Sequence, residues 1–178
     1  MNSRRRVNSN VMHQLSSDIV VALIALAVSL ISLAMSAHFW RRSFRPIVTA
    51  AVKTDAAGNV AITYNLVVLN SGTIPARNVT LTAEPDSLAR ALGKDASTEN
   101  KRRELACFDS DRVIPIIHNG DRVSCSFGDS SANDDGFWKY NSKIAIVINY
   151  EGWFGKTYKQ AQEIQIIDSD SFTGYMWG

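Results

Sequence analysis

The sequence predicts a mainly β protein in which one N-terminal transmembrane α-helix is followed by a β-sandwich of about seven strands with a short inserted helix. Residues 19–40 contain no Asp, Glu, Lys or Arg. Residues 46–168 alternate between apolar and polar side chains, as half-buried strands do. The chain has 178 residues, of which 46% are hydrophobic, so it has room for one domain and an anchor and is not a disordered protein.

The segment 19–40 has the length and composition of a membrane-spanning helix. At about 1.5 Å per residue it reaches about 33 Å, and the hydrocarbon core of a bilayer is about 30 Å thick. Asp18 precedes the segment and Arg41 follows it. The main alternative is a cleaved signal peptide, for which the three arginines at 4–6 would form the basic region.

Small side chains form one stripe of this predicted helix. Spaced three or four residues apart, they are Ala22, Ala25, Ser29, Ser32 and Ser36. Such a stripe lets two helix backbones approach closely. It predicts association with a second copy of the chain or with another membrane protein; the alternative is that this face meets lipid.

The composition divides the chain into five parts. They are a polar arm (1–18), the transmembrane helix (19–40), a basic juxtamembrane flank (41–45), the sandwich (46–168) and a C-terminal tail (169–178). Basic residues lie on both sides of the helix, so the positive-inside rule decides little. One apolar segment predicts a single-pass cell-membrane protein. The closeness of Arg41 and Arg42 to the helix favours a cytoplasmic domain, whereas the short N-terminal arm favours a domain in the periplasm or the extracellular space. The disulfide predicted below favours the second orientation.

Seven segments of the domain predict strands. They are 47–53, 60–68, 78–83, 104–108, 123–127, 143–150 and 157–167. The dipeptide Asn119-Gly120 predicts a short hairpin. Residues 85–93 predict the inserted helix, with Asp86 as its N-cap, and residues 94–103 predict a loop.

Two stretches resemble a known group of proteins. Residues 66–79, with Asn70 and Gly72, are similar to the "N-x-G-x-x-P-A-x-N-V" strand pair of immunoglobulin-like domains. Residues 148–158 resemble a late hairpin of small bacterial single-pass membrane proteins of unassigned function, which carry an immunoglobulin-like, cell-adhesion-related sandwich. The resemblance implies that fold and no activity. The residue types at Asn70 and Gly72 separately predict a turn with positive φ.

The sequence predicts no enzyme, no metal site and no cofactor. His118 is the one histidine of the domain, whereas a metal site needs several converging ligands. The acidic stretch that begins at Asp129 lacks the Gly and the Glu of an EF-hand loop. A net charge of +2 does not favour nucleic acid as a partner.

We therefore expect a non-catalytic interaction or scaffold module, anchored in the lipid bilayer, with an unknown protein partner. Two alternatives remain open. One is an accessory subunit of a membrane complex that assembles through the transmembrane helix. The other is an exported glycan-binding domain.

Two pairs of residues are candidate sites. Trp153 and Phe154 are predicted at the tip of a hairpin, where they would contact a partner protein, a glycan or the membrane surface; the alternative is packing against the end of the sandwich. Cys107 and Cys125, the only cysteines, predict a disulfide, because the turn at 118–121 folds their segments together. The bridge would add about 3 kcal/mol of stability and favours an oxidising compartment. The alternative is two buried free thiols in a cytoplasmic domain.

Overall fold

The computed structural model describes the backbone of residues 3–170 and the side chains of residues 19–41, 43–153 and 155–170. The chain divides into two compact units, Met1–Ser43 and Phe44–Gly178. Each unit is described by itself below.

The first unit is one helix, α1, which extends from Ser3 to Ser43. Its apolar part, Ile19–Arg41, is long enough to cross a membrane, and none of it is buried. A signal sequence near an N-terminus has the same character. Residues 3–18 of the predicted polar arm and residues 41–43 of the predicted basic flank lie within α1.

The second unit contains seven strands in two antiparallel sheets. The strands are β1 Val48–Ala57, β2 Ala61–Asn70, β3 Ala76–Ala83, β4 Ile114–Ile117, β5 Arg122–Ser131, β6 Lys143–Glu151 and β7 Thr157–Gln165. One sheet has the order β1-β2-β5 and the other has the order β4-β3-β6-β7. These two sheets confirm the prediction of a mainly β protein.

The inserted segment contains two short α-helices where the sequence predicted one. The first, α2, is Pro85–Ala91, and its N-cap is Glu84, whose carboxylate accepts a hydrogen bond from the Ser87 N–H at 3.1 Å. The prediction of Asp86 as the cap was therefore wrong by two residues. Asp86 instead lies in the first turn, where a negative charge is favourable.

The second inserted helix, α3, is Thr98–Glu104, and it occupies part of the segment predicted as a loop. It begins at Ser97, whose hydroxyl accepts a hydrogen bond from the Asn100 N–H at 3.2 Å. A 3-10 turn, Ala106–Phe108, follows it. The predicted strand 104–108 is therefore wrong.

The strand that the sequence did not predict is β4, which is short and contains Pro115. The reversal at Asn119-Gly120 exists, since Gly120 has a φ of 76° and the Asp121 N–H donates to the His118 carbonyl at 3.1 Å. However, β4 and β5 on its two sides belong to different sheets. The prediction of a hairpin was wrong, and the turn instead carries the chain from one sheet to the other.

One hydrophobic core includes residues from both sheets, such as Leu66 of β2 and Ile148 of β6. Trp138 is fully buried near Phe127 and Phe137, with ring centroids 4.8 and 4.7 Å away. The indole N–H of Trp138 donates to the carbonyl of Phe127. The largest side chain of the core is thus also held by a polar contact to β5.

The side chain of Asn70 is fully buried at the end of β2 and forms four hydrogen bonds. Its Oδ1 accepts from the N–H groups of Ile47 (3.2 Å) and Gly72 (3.0 Å). Its Nδ2 donates to the carbonyls of Ile74 (2.8 Å) and Ile117 (3.1 Å). The hydrogen-bonding capacity of the amide is therefore fully used. Because Ile47 directly precedes β1 and Ile117 ends β4, one side chain joins the two sheets.

Glycine is required at position 72 because another segment of the backbone passes close to it, and not because of its φ angle. Among the described residues, positive φ occurs elsewhere and not at Asn70 or Gly72, so that prediction was wrong. A Cβ on Gly72 would lie in steric conflict with the backbone of Arg45, Pro46 and Ile47. The segment that leads into β1 therefore passes directly over this glycine.

Replacing Asn70 with Ala should lower the free energy of unfolding by at least about 2 kcal/mol, because each buried polar group left without a partner costs about 1–3 kcal/mol. The control is Asn65→Ala, which removes only an exposed hydrogen bond to Asp55 and should change stability by about 0.5 kcal/mol or less. Denaturant unfolding of the full chain in detergent, followed by tryptophan fluorescence, measures both. Equal losses in the two variants would contradict the assigned role of Asn70.

Replacing Gly72 with Ala should destabilise the domain by about 1–3 kcal/mol, the usual cost of forcing extra volume into a packed site. Gly58→Ala is the matched control, because the atom nearest to its new Cβ would be the Ala61 carbonyl oxygen at 3.8 Å. The same unfolding measurement applies. A Gly72→Ala protein as stable as the Gly58→Ala protein would show that the segment before β1 can move away at no cost.

Candidate functional site

The two flanks of the domain differ in how the sheets meet. On the flank where β1 lies beside β7, the amide of Gln162 hydrogen-bonds both the N–H of Ala50, at 3.2 Å, and its carbonyl. The hydroxyl of Thr54 donates to Oδ1 of Asp168 at 2.7 Å. Hydrogen bonds from polar side chains therefore link the two sheets along this flank, which we call the closed flank.

The opposite flank, formed by the edge strands β4 and β5, contains a cavity of about 340 Å³, which we name the groove. Its floor is apolar and comprises the buried side chains of Leu66, Val68 and Leu81. Its walls come from β4 and β5 and from the end of α3 with the 3-10 turn 106–108.

The groove exists because the inner face of β5 is incompletely covered. Val123 and Cys125 pair with Val68 and Leu66 of β2, so all four side chains point to the same face of the sheet. Val68 is 4% exposed, whereas Val123 is 39% exposed. Cys125 is also exposed. These two inward-facing side chains of β5 therefore remain accessible from outside.

The backbone of β5 is covered over only half of its length. Near its end, the Trp138 N–H donates to the Asp129 carbonyl at 2.8 Å, and the Trp138 indole donates to Phe127. The first half, Arg122–Ser126, is exposed and lies at the edge of its sheet. An uncovered strand edge is a template for pairing with another strand. The neighbouring edge, β4, carries Pro115, which cannot donate a ladder hydrogen bond.

Charged groups also line the groove. The buried carboxylate of Glu104 accepts a hydrogen bond from Arg103 Nε at 2.8 Å and one from the Ser126 hydroxyl at 3.5 Å. The second contact ties the end of α3 to β5. Arg112 also lines the groove, is exposed, and forms no salt bridge with any side chain that the structure describes. The groove therefore suits a ligand with an apolar body and a negative group.

The structure brings the two cysteines together in the wall of the groove. Cys107 lies on the 3-10 turn, half-buried, and Cys125 lies on β5. The thiols are not bonded to each other, and their mutual interaction raises the pKa of Cys107 and lowers the pKa of Cys125. Burial also raises the pKa of Cys107, and at Cys125 it opposes the lowering of the pKa. The disulfide stays a prediction, although its partners are neighbours.

The other predicted sites lie apart from the groove residues or outside the described part. Trp153 is in the 3-10 turn Trp153–Gly155 and is 49% exposed; the side chain of Phe154 lies outside the described residues. The small-residue stripe is exposed along α1, and its role in association stays a prediction. No group of three or more His, Cys, Asp or Glu side chains that could hold a metal ion occurs among the residues that the structure describes.

Three residues of the groove were not predicted from the sequence: Glu104, Arg112 and Val123. Val123 was correctly placed on a strand, and its alternation with Phe127 indicated an inward direction. The alternation of side chains could not indicate that β4 pairs with the other sheet, which leaves this edge of β5 without a neighbouring strand among the described residues. Arg112 lies in a segment without apolar periodicity, so no local signal marked it. Glu104 begins the segment 104–108 that was predicted as a strand, and nothing in that pattern indicated a buried carboxylate.

Comparison with known proteins gives one match. Residues 12–171 match the model of a family described as a domain of unknown function, DUF8453. No curated protein and no solved structure is significantly similar to the chain.

Proposed function

We propose a function for this chain, which belongs to the DUF8453 family: it is a membrane-anchored, non-catalytic interaction module. In this proposal α1 crosses the cell membrane once, and the domain from Phe44 onward is immunoglobulin-like and binds a partner protein in the groove. The observation that carries the proposal is the exposed inner face of β5 beside an uncovered strand edge.

The order of the strands supports an immunoglobulin-like domain. Lettered A to G along the chain, the strands have the orders A-B-E and D-C-F-G. The constant-type immunoglobulin domain has A-B-E-D and C-F-G. The two arrangements differ only in the fourth strand, which here lies beside the third strand instead of the fifth. That displacement is what leaves the edge of β5 open.

The exposed apolar surface of α1 supports a membrane anchor. The apolar span Ile19–Arg41 is not buried, and burial of such a surface in an apolar environment is favourable. We place the domain in the periplasm or outside the cell, because the disulfide predicted between Cys107 and Cys125 favours an oxidising compartment. The hydroxyl of Ser29 donates to the Ala25 carbonyl at 2.8 Å, so it needs no partner from another helix. We therefore assign binding to the groove rather than to the small-residue stripe.

The groove suits an extended segment of a partner protein. A strand added to the edge of Arg122–Ser126 would gain main-chain hydrogen bonds, and pockets for alternate side chains would give specificity. Next to that edge, the groove accepts an apolar side chain over Val68 and Leu81. An acidic side chain on the same segment would pair with Arg112. The proposed partner segment is therefore extended, apolar at alternate positions and acidic at one end.

Replacing Leu26 and Leu30 with Arg should release the protein from membranes, because each arginine at the centre of a spanning helix costs about 2.5–3.5 kcal/mol. Leu26→Ile with Leu30→Ile is the matched control and should remain bound. Alkaline carbonate extraction of cell membranes measures the bound fraction, and N-terminal sequencing reports whether the helix is retained. Extraction of the unaltered protein, or a mature chain that begins near residue 37, would contradict the anchor.

A photo-reactive amino acid at position 123 should cross-link a partner segment in intact membranes, whereas the same group at position 60 should not. Val60 is a suitable control because it is apolar and more exposed than Val123, yet it is not among the groove residues. Arg112→Glu should weaken the cross-link at 123, and peptide mapping should place the adduct in an extended segment that carries an acidic residue. Equal adducts at both positions would contradict binding in the groove.

A further inference from the structure

We propose that Cys107 and Cys125 are a reversible redox pair that reacts by thiol–disulfide exchange, with Cys125 as the attacking thiol and Cys107 as the resolving thiol, and that their oxidation narrows the groove. The exchange does not depend on the function proposed above. It is a reaction of two side chains that the fold places side by side, and its substrate class is a small disulfide such as oxidised glutathione.

The positions of the two thiols give them different roles. Cys125 lies on the exposed first half of β5, where an external disulfide can reach it. Cys107 is half-buried in the 3-10 turn, and its Sγ lies 3.9 Å from the carbonyl oxygen of Glu104. An incoming disulfide therefore meets Cys125 first, and Cys107 is held where it can attack the sulfur that has just reacted.

The interaction between the two thiols favours the same assignment. It lowers the pKa of Cys125, while burial and the carboxylate of Glu104 oppose that fall, and it raises the pKa of Cys107. Arg103 donates a hydrogen bond to the Glu104 carboxylate and so offsets part of the opposing charge. The lowered pKa of Cys125 and the raised pKa of Cys107 agree with an attacking thiolate beside a protonated partner.

The reaction has two balanced steps. In the first, the thiolate of Cys125 attacks one sulfur of oxidised glutathione, whose disulfide bond breaks and releases one glutathione thiolate. In the second, Cys107 gives its proton to solvent and attacks the sulfur of Cys125, which releases the second glutathione. The two protein thiols lose two electrons in total, and one external disulfide is reduced to two thiols.

Oxidation changes the groove because the two sulfur atoms belong to different walls. Cys107 lies on the turn that follows α3, and Cys125 lies on β5. Bond formation brings the two sulfur atoms, which are not bonded in the structure, to about 2.05 Å from each other. The turn is thereby drawn toward β5, over the inner face that Val123 and Cys125 leave exposed. The reduced protein has the open groove and the oxidised protein has a narrower one.

The test uses the full chain in detergent micelles, incubated with oxidised glutathione or with a reducing dithiol, quenched with acid and then labelled under denaturing conditions. Because the chain has only two cysteines, the number of labels measured by intact mass reports the state of the pair directly. We expect two labels after reduction and none after oxidation, with no bound glutathione. Two labels after oxidation, or stable binding of one glutathione to each thiol, would overturn the proposal.

Single variants test the assigned roles. Cys107→Ser should accumulate a mixed disulfide between Cys125 and glutathione. Cys125→Ser should form one at Cys107 at least about tenfold more slowly, since a buried protonated thiol is a poor nucleophile. Cys107→Ala repeats the first measurement with an apolar side chain, and thermal unfolding checks that each variant is folded. Equal rates in the two single variants would overturn the assignment of Cys125 as the attacking thiol.

Hydrogen exchange tests the narrowing independently. Backbone amides of residues 98–108 and 122–126 should exchange more slowly in the oxidised chain than in the reduced chain, because the bond ties these segments together. Residues 157–165 of β7, on the opposite flank, supply the internal control and should be unaffected. Unchanged exchange in both test segments after complete oxidation would overturn the effect on the groove while leaving the exchange chemistry intact.

Discussion

Four hydrogen bonds from the buried amide of Asn70 determine how the two sheets of the domain meet. They hold the residue before β1, the connection from β2 to β3 and the last residue of β4 in one place. A buried amide that lost one of these partners would carry the full cost of desolvation, so the arrangement tolerates little displacement. Because β4 is fixed at the edge of the second sheet, the first sheet ends at β5. The open flank, and with it the groove, follows from the position of β4, which pairs with β3 and whose last residue, Ile117, accepts a hydrogen bond from Asn70.

Much of the fold was predictable because it is encoded by local alternation. Residues 60–68 and 143–150 alternate over a long range, and they form β2 and β6, whose inward-facing residues belong to the common core. The failures have physical reasons. β4 is only four residues long and includes a proline, so it has no periodicity to detect. The sequence predicts a strand at 104–108, whereas this segment contains the last residue of α3, which Ser97 caps at its start, and the 3-10 turn that follows it.

The site was predictable only in part. The two cysteines were expected to be neighbours because a hairpin at Asn119-Gly120 would pair their strands. They are neighbours for another reason: the turn that carries Cys107 packs near β5, while β4 crosses to the other sheet. The exposure of Val123 depends on that crossing, which is a property of the topology rather than of any local segment. Val123 is exposed because none of the described strands pairs with its edge of β5, and the sequence around Val123 contains no pattern that indicates this.

The closed flank has a consequence for the order in which the protein forms during synthesis. Thr54 and Asp168, which join β1 to the segment after β7, are separated by 114 residues along the chain. At about 5–20 residues per second, a ribosome needs roughly 5–20 s to produce this stretch. The apolar part of α1 is complete before β1 begins, whereas the core cannot close until the last strand has emerged. In the proposed anchored protein, the nascent helix would enter the bilayer while the domain behind it is still an open chain.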